Sequence, residues 1–300
     1  MHRTILICIL LLAGFSLINA QVKTIAINPA VTDPQIQSIH GDHIACIDTT
    51  VRPINKLLLM IFGTGASANS NLPFLSFAAT QGYHVISIDY KNTVITTVCS
   101  NSKDSACFNE FRQEIIFGEP VSPLVEVDSA NGIYHRVYSL LHYLSKNFPK
   151  QGWQQYLSSD AILWQKIIVA GHSQGAGHAA YLGKKFPVDR VLIFAGPQDF
   201  LVQFNKPASW VFQKGITSPS KYFAFLHLKD PFDYNKQLAG CMALMQLSKT
   251  DTLLVQPSMP VTKGRHIIVT NIETDNAHGS MLQPAFKDAW SWLLSANPAR

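Results

Sequence analysis

The stretch Lys166–Ala180, KIIVAGHSQGAGHAA, decides how the rest of the chain is read. Its apolar run, Ile167 to Ala170, has the length and character of a strand buried on both faces. From Gln174 to Phe186 the sequence is rich in Ala and Gly and reads as a helix. Between the two lies Gly171-His172-Ser173-Gln174-Gly175, a G-x-S-x-G pattern with Ser173 at its centre. The pattern alone is weak. A strand before it and a small-residue helix after it supply the context of a tight strand-to-helix turn. In that turn bulk beside the serine would clash, so glycines flank it. The serine hydroxyl stands in the open at a helix N-terminus, where negative charge is favoured.

Outward from this turn, apolar runs alternate with helical patterns. Leu57–Phe62 (LLLMIF), Tyr83–Ile88, Arg190–Phe194, Lys221–Leu228 and His266–Thr270 read as strands, and KTIAINP and HIACIDTTV near the start as shorter ones. Asn71 to Gln81 reads as a helix with Asn71 as its N-cap. Ile133–Phe148 is amphipathic, with Val137, Leu140, Leu141 and Leu144 at helical spacing, and Ser280–Leu294 reads as a closing helix. Lys91 to about Ala130 reads as a long irregular segment. Alternation of this kind predicts an α/β fold of three layers, a mainly parallel central sheet with helices on both faces. No linker, charge block or repeat divides the chain. Residues 21–300 are therefore expected to form a single domain, with 91–130 and 196–220 as insertions capping the site.

A serine hydroxyl is a poor nucleophile without a base, and the base needs an orienting acid. In such sheets these groups lie at the carboxyl ends of later strands. KYFAFLHL ends in Lys229-Asp230, and the loop after HIIVTN carries Asn276-Ala277-His278. Ser173, Asp230 and His278 are the expected set, with Asp199 and Asp233 as rival acids. His266 at a strand start, His172 beside the serine and His227 within a strand read as structural.

The stretch GTGASANS, Gly63–Ser70, pulls in another direction. It fits G-x-G-x-x-A after a strand, and Asp89 closes the next apolar run, as in a dinucleotide-binding fingerprint. A pyrophosphate site, however, needs the helix to start at the glycines, and here it starts near Asn71–Pro73. The alternative is a backbone donor to a substrate oxyanion. We assign Thr64 N–H to it, together with Gln174 N–H; Gly65 is the other candidate in the loop.

At these residues the chain resembles the α/β-hydrolase superfamily, from about Leu57 to its end. More narrowly, CFNEFRQEIIFGE, NGIYHRVYSLLHYL and IIVAGHSQGAGHAA resemble a family of exported bacterial serine hydrolases of unassigned substrate. Phe62 stands where the common oxyanion-loop form has His. The resemblance implies hydrolysis of a carboxyl ester of a small-molecule or lipid-like acyl substrate through an acyl-enzyme, with no metal or organic cofactor. A peptidase or amidase with the same triad, a non-catalytic binding protein on the same fold and a dinucleotide oxidoreductase are the alternatives.

The first 20 residues, MHRTILICILLLAGFSLINA, have a basic start, a short apolar run and Ala20 before Gln21, the layout of a secretory signal peptide. They predict a secreted or periplasmic protein with no later membrane span. The chain carries 24 Lys+Arg, 19 Asp+Glu and a net charge of +5. The basic residues look spread along the chain, without a nucleic-acid patch. Cys46, Cys99, Cys107 and Cys241 remain after signal removal, and four cysteines allow three pairings. Cys99 and Cys107 bracket the polar loop SNSKDSA and are the expected pair; Cys46–Cys241 would follow. His40 and His43 around Asp42 read as a surface loop rather than a metal site.

Overall fold

The computed structural model describes residues 22–159, 161–261 and 265–295. The expected signal segment, 1–20, lies outside the described residues.

Nine strands form the central sheet: β1 (Val22–Ile27), β2 (His43–Asp48), β3 (Leu57–Ile61), β4 (His84–Ser87), β5 (Ile167–His172), β6 (Arg190–Phe194), β7 (Tyr222–His227), β8 (Thr252–Leu254) and β9 (Ile267–Thr270). Their spatial order is β1-β2-β4-β3-β5-β6-β7-β9-β8. Only the β1–β2 and β2–β4 pairings are antiparallel. From β3 onward the remaining pairs are parallel, with Leu57 opposite Ile167 and Ile168 opposite Arg190.

The side-chain alternation of β3 builds two layers at once. Leu57, Leu59 and Ile61 join one apolar cluster, while Leu58 and Met60 join the other. On the first face lie α2 (Cys107–Phe117), α3 (Ile133–Asn147), α4 (Gln174–Lys185) and α5 (Tyr234–Met245). The second face is covered by α1 (Leu72–Thr80) and α6 (Lys287–Ser295), which interlock through Phe74 and Trp290, ring centroids 5.3 Å apart. The expected three-layer arrangement is therefore present.

Four features depart from the sequence reading. The segment 91–130 contains α2, whose Phe108, Phe111, Ile115 and Ile116 are buried. Helix α5 and edge strand β8 had no clear sequence signal. The closing helix begins at Lys287, because Pro284 holds Gln283 extended and splits Ser280–Phe286 into two single turns. Finally, Cys99 and Cys107 form a disulfide, but Cys46 and Cys241 are free buried thiols. These last two sit in clusters on opposite faces of the sheet, so no bridge can join them. Cys46 contacts Thr24 Oγ1, Cys241 donates to the Gly196 carbonyl, and burial pushes both thiols up.

Candidate active site

Strand β3 lies between β4 and β5, so the connections leaving it and returning past it run to opposite sides. Such a reversal opens a crevice at the carboxyl ends of the strands. The loops after β3 and β5 are GTGASANS and GHSQG, and both edge this crevice.

Ser173 has φ 57° and ψ −123°, a conformation a side chain adopts only under constraint. The constraint is close packing around the turn. A Cβ on Gly171 would collide with the Gly175 carbonyl, and one on Gly175 with the Ile61 carbonyl. One on Gly63 would meet Ser173 Cβ at 2.7 Å. The two loops thus touch at the serine, and only glycine fits where they do.

His278 follows β9 and Asp230 follows β7; β7 and β9 are paired. His278 Nδ1 donates to Asp230 Oδ2 at 2.8 Å. Asp230 is buried, and burial alone would push its carboxyl up. The His278 hydrogen bond and charge and the Phe232 amide outweigh this and hold it below the usual carboxylate value. His278 Nε2 is buried without a hydrogen-bond partner among the described residues, and the Phe232 ring lies 4.6 Å from the imidazole.

The rival acids are otherwise engaged. Asp199 is fully buried and accepts two hydrogen bonds from Arg112, Nε at 3.0 Å, and one from Trp210 Nε1 at 2.8 Å. Arg112 also donates to the Gln174 carbonyl at 2.7 Å, so this pair braces the turn from behind. Asp233 caps α5 and pairs with Lys236.

In the GTG loop, Gly65 N–H is taken by the Asn92 carbonyl at 3.2 Å. Asn92 Nδ2 in return donates to the Gly63 and Ala66 carbonyls. Thr64 N–H has no acceptor among the described residues. Gln174 opens α4, so its N–H has no partner within the helix. The Gln174 side chain accepts from Thr64 Oγ1 at 2.6 Å and from Thr96 N at 3.0 Å, tying the loops together.

The dinucleotide reading fails on geometry. Helix α1 starts at Leu72, with Asn71 accepting from Phe74 N at 3.0 Å, well past the glycines. Asp89 is buried and faces Arg136 at 3.3 Å.

One residue at the serine, Gln198, escaped the sequence reading. Gln198 Nε2 donates to Ser173 Oγ at 3.2 Å. His172, read as packing, donates from Nε2 to the His278 carbonyl at 2.8 Å. Burial and the neighbouring His278 push His172 down to about 4, which keeps it neutral. His227 is a satisfied core histidine, as expected, bonded to the Ile272 carbonyl and the Lys229 amide.

No family model and no curated protein matches the chain. Solved structures do. A tributyrin phosphonate complex of esterase B from Lactobacillus rhamnosis is 10% identical, aligns 91% of this chain with 84% of its own, and has a TM-score of 0.50. A putative dienelactone hydrolase from Klebsiella pneumoniae is 11% identical over 91% of this chain and 97% of that one, TM-score 0.47. A hyperthermophilic esterase from Pyrobaculum calidifontis is 13% identical over 91% and 81%, TM-score 0.45.

Proposed function

From the α/β-hydrolase fold that this chain adopts, we propose that it is an exported serine hydrolase that cleaves a carboxyl ester. The observation that carries the proposal is the strained Ser173 turn at the crevice, together with the 2.8 Å His278–Asp230 hydrogen bond.

In the proposed mechanism Ser173 Oγ attacks the acyl carbonyl and His278 Nε2 takes its proton. Asp230 fixes the imidazole through Nδ1–H and stabilises its cation. The N–H groups of Thr64 and Gln174 receive the oxyanion. His278 then protonates the leaving alcohol, and water releases the acyl group by the same steps. For attack, Ser173 Oγ exchanges its contact with Gln198 for one with His278. The substrate class, a small-molecule or lipid-like acyl ester, draws support from the esters that the similar enzymes' names imply. Export draws support from the N-terminal segment and from the Cys99–Cys107 disulfide, a bond that persists in oxidising compartments.

A fluorophosphonate probe tests the proposal, with the adduct mapped by mass spectrometry. One adduct on Ser173, absent in His278→Ala, is the expected result. No adduct on well-folded protein would remove the serine-hydrolase reading and favour a binding protein on this fold. An ester and its matching amide, compared on the same sample, separate an esterase from an amidase.

A further inference from the structure

We propose that the face built from residues 200–221 and helix α5 docks on an anionic lipid bilayer surface. It is carried by exposed apolar side chains interleaved in sequence with lysines that meet no carboxylate among the described residues, independently of the chemistry at Ser173.

The segment is held firmly from within. Leu201, Trp210 and Val211 are buried, and Lys184 donates to the Val211 and Gln213 carbonyls. Its other side chains turn outward. Val202 is 46% exposed, Phe204 41%, Phe212 58% and Ile216 62%. Phe212 joins Pro207, Ala239, Met242 and Leu247 in a shallow apolar groove of about 480 Å³ against α5. Isolated exposed apolar residues are ordinary, but an apolar groove such as the one Phe212 shares with α5, on an anchored segment, marks an interaction surface.

Charge selects the partner. From Phe200 to Thr250 the sequence has six lysines and two carboxylates; of the lysines, Lys229 pairs with Glu273 outside the stretch. One of the carboxylates, Asp230, is buried on His278, and the other, Asp233, pairs with Lys236. Lys206, Lys214 and Lys221 pair with no carboxylate among the described residues. Lys206 lies over the Phe204 ring at 5.6 Å, and Lys214 stands between Phe212 and Ile216 in sequence. A second copy meeting this face symmetrically would set lysine against lysine. Single-stranded nucleic acid would want stacking rings, whereas Val202 and Ile216 offer none. An anionic bilayer satisfies both components, since apolar tips enter the headgroup region and lysines meet the surface charge.

Sedimentation with extruded vesicles tests this. Vesicles of phosphatidylcholine alone are compared with vesicles of phosphatidylcholine and phosphatidylglycerol in equal parts. Binding to the anionic vesicles only, weakening as salt rises, is expected. Phe212→Ser with Ile216→Ser should weaken it at least tenfold. Lys206→Glu with Lys214→Glu should do the same, since each lysine near such a surface is worth about fivefold in affinity. Circular dichroism confirms that the variants fold, and both should retain the parent's turnover of a water-soluble ester. No binding to anionic vesicles at low salt would overturn the proposal. So would binding indifferent to Phe212 and Ile216, or a dimer seen by light scattering that these variants dissolve.

Discussion

Two buried carboxylates, Asp230 and Asp199, lie within reach of the Ser173 turn, and their partners give them different work. Asp230 faces an imidazole at 2.8 Å, a group that gains and loses a proton. Asp199 faces a guanidinium and an indole N–H, two fixed hydrogen-bond donors. Their asparagine variants should therefore fail in opposite ways. Asp230→Asn is expected to lower the urea midpoint less than Asp199→Asn does and to lower kcat by about 10⁴. Asp199→Asn leaves the buried Arg112 charge unmatched and should cost about 3–5 kcal/mol of stability. Urea titration and ester kinetics on the two variants check this, and the reverse pattern would move the acid's role to Asp199.

Among the elements, the 3₁₀ turn Thr96–Cys99 and helix α2 are coupled by the Cys99–Cys107 disulfide, which closes a loop of sequence separation 8. Thr96 N reaches Gln174, and Arg112 of α2 reaches the Gln174 carbonyl. The bridge thus ties together two elements that hold Gln174, a proposed oxyanion donor. Replacing both cysteines by serine should cost about 2–3 kcal/mol by loop entropy. The urea midpoint of the double variant measures it, and an unchanged midpoint would show that native packing alone holds the loop. Helix α2 was legible in principle. Phe108, Phe111, Ile115 and Ile116 repeat at helical spacing, but buried Arg112 and Glu114 break the apolar stripe. Glu114 is buried because it accepts the amides of Val121, Ser122 and Val127, a loop that no local pattern announces.

For the molecule as a whole, buried neutral histidines govern the acid limit. His43 and His178 are fully buried. Burial, aided by Arg136, pushes His43 down to about 3; burial and Arg112 push His178 well below its usual value. In the unfolded chain each takes a proton near pH 6.5, so the unfolded state binds more protons as pH falls below that point. Stability is thus full above about pH 6.5. Below it, each histidine removes about 1.4 kcal/mol per pH unit until its folded value is reached. Lowering of the Asp230 carboxyl adds to the loss only below the ordinary carboxylate range, near pH 4. Urea midpoints from pH 7.5 to 4.5 should fall in this pattern; a flat profile would mean that neither histidine is held neutral in the folded state. Charge is also a property of the whole. Counted along the chain, residues 200–250 hold six lysines against two carboxylates, an excess that the whole-chain total hides.

Strand periodicity, the Asn71 cap and the G-x-S-x-G turn were readable because each depends on neighbours in sequence: alternation along a strand, a cap three residues from its amide, glycines beside one serine. The mainly parallel, three-layer arrangement and the places of Ser173, Asp230 and His278 after their strands followed from these; the order of the strands did not. Other features depend on groups far apart in the chain. Gln198 reaches Ser173 across 25 residues, and Arg112 reaches Asp199 across 87. His172 bonds a carbonyl 106 residues away. Cys46 and Cys241 look like a pair in composition but are kept apart by the sheet between them. Local sequence specifies backbone conformation because its energetics are short-ranged; which buried polar group meets which partner is decided only when the layers pack.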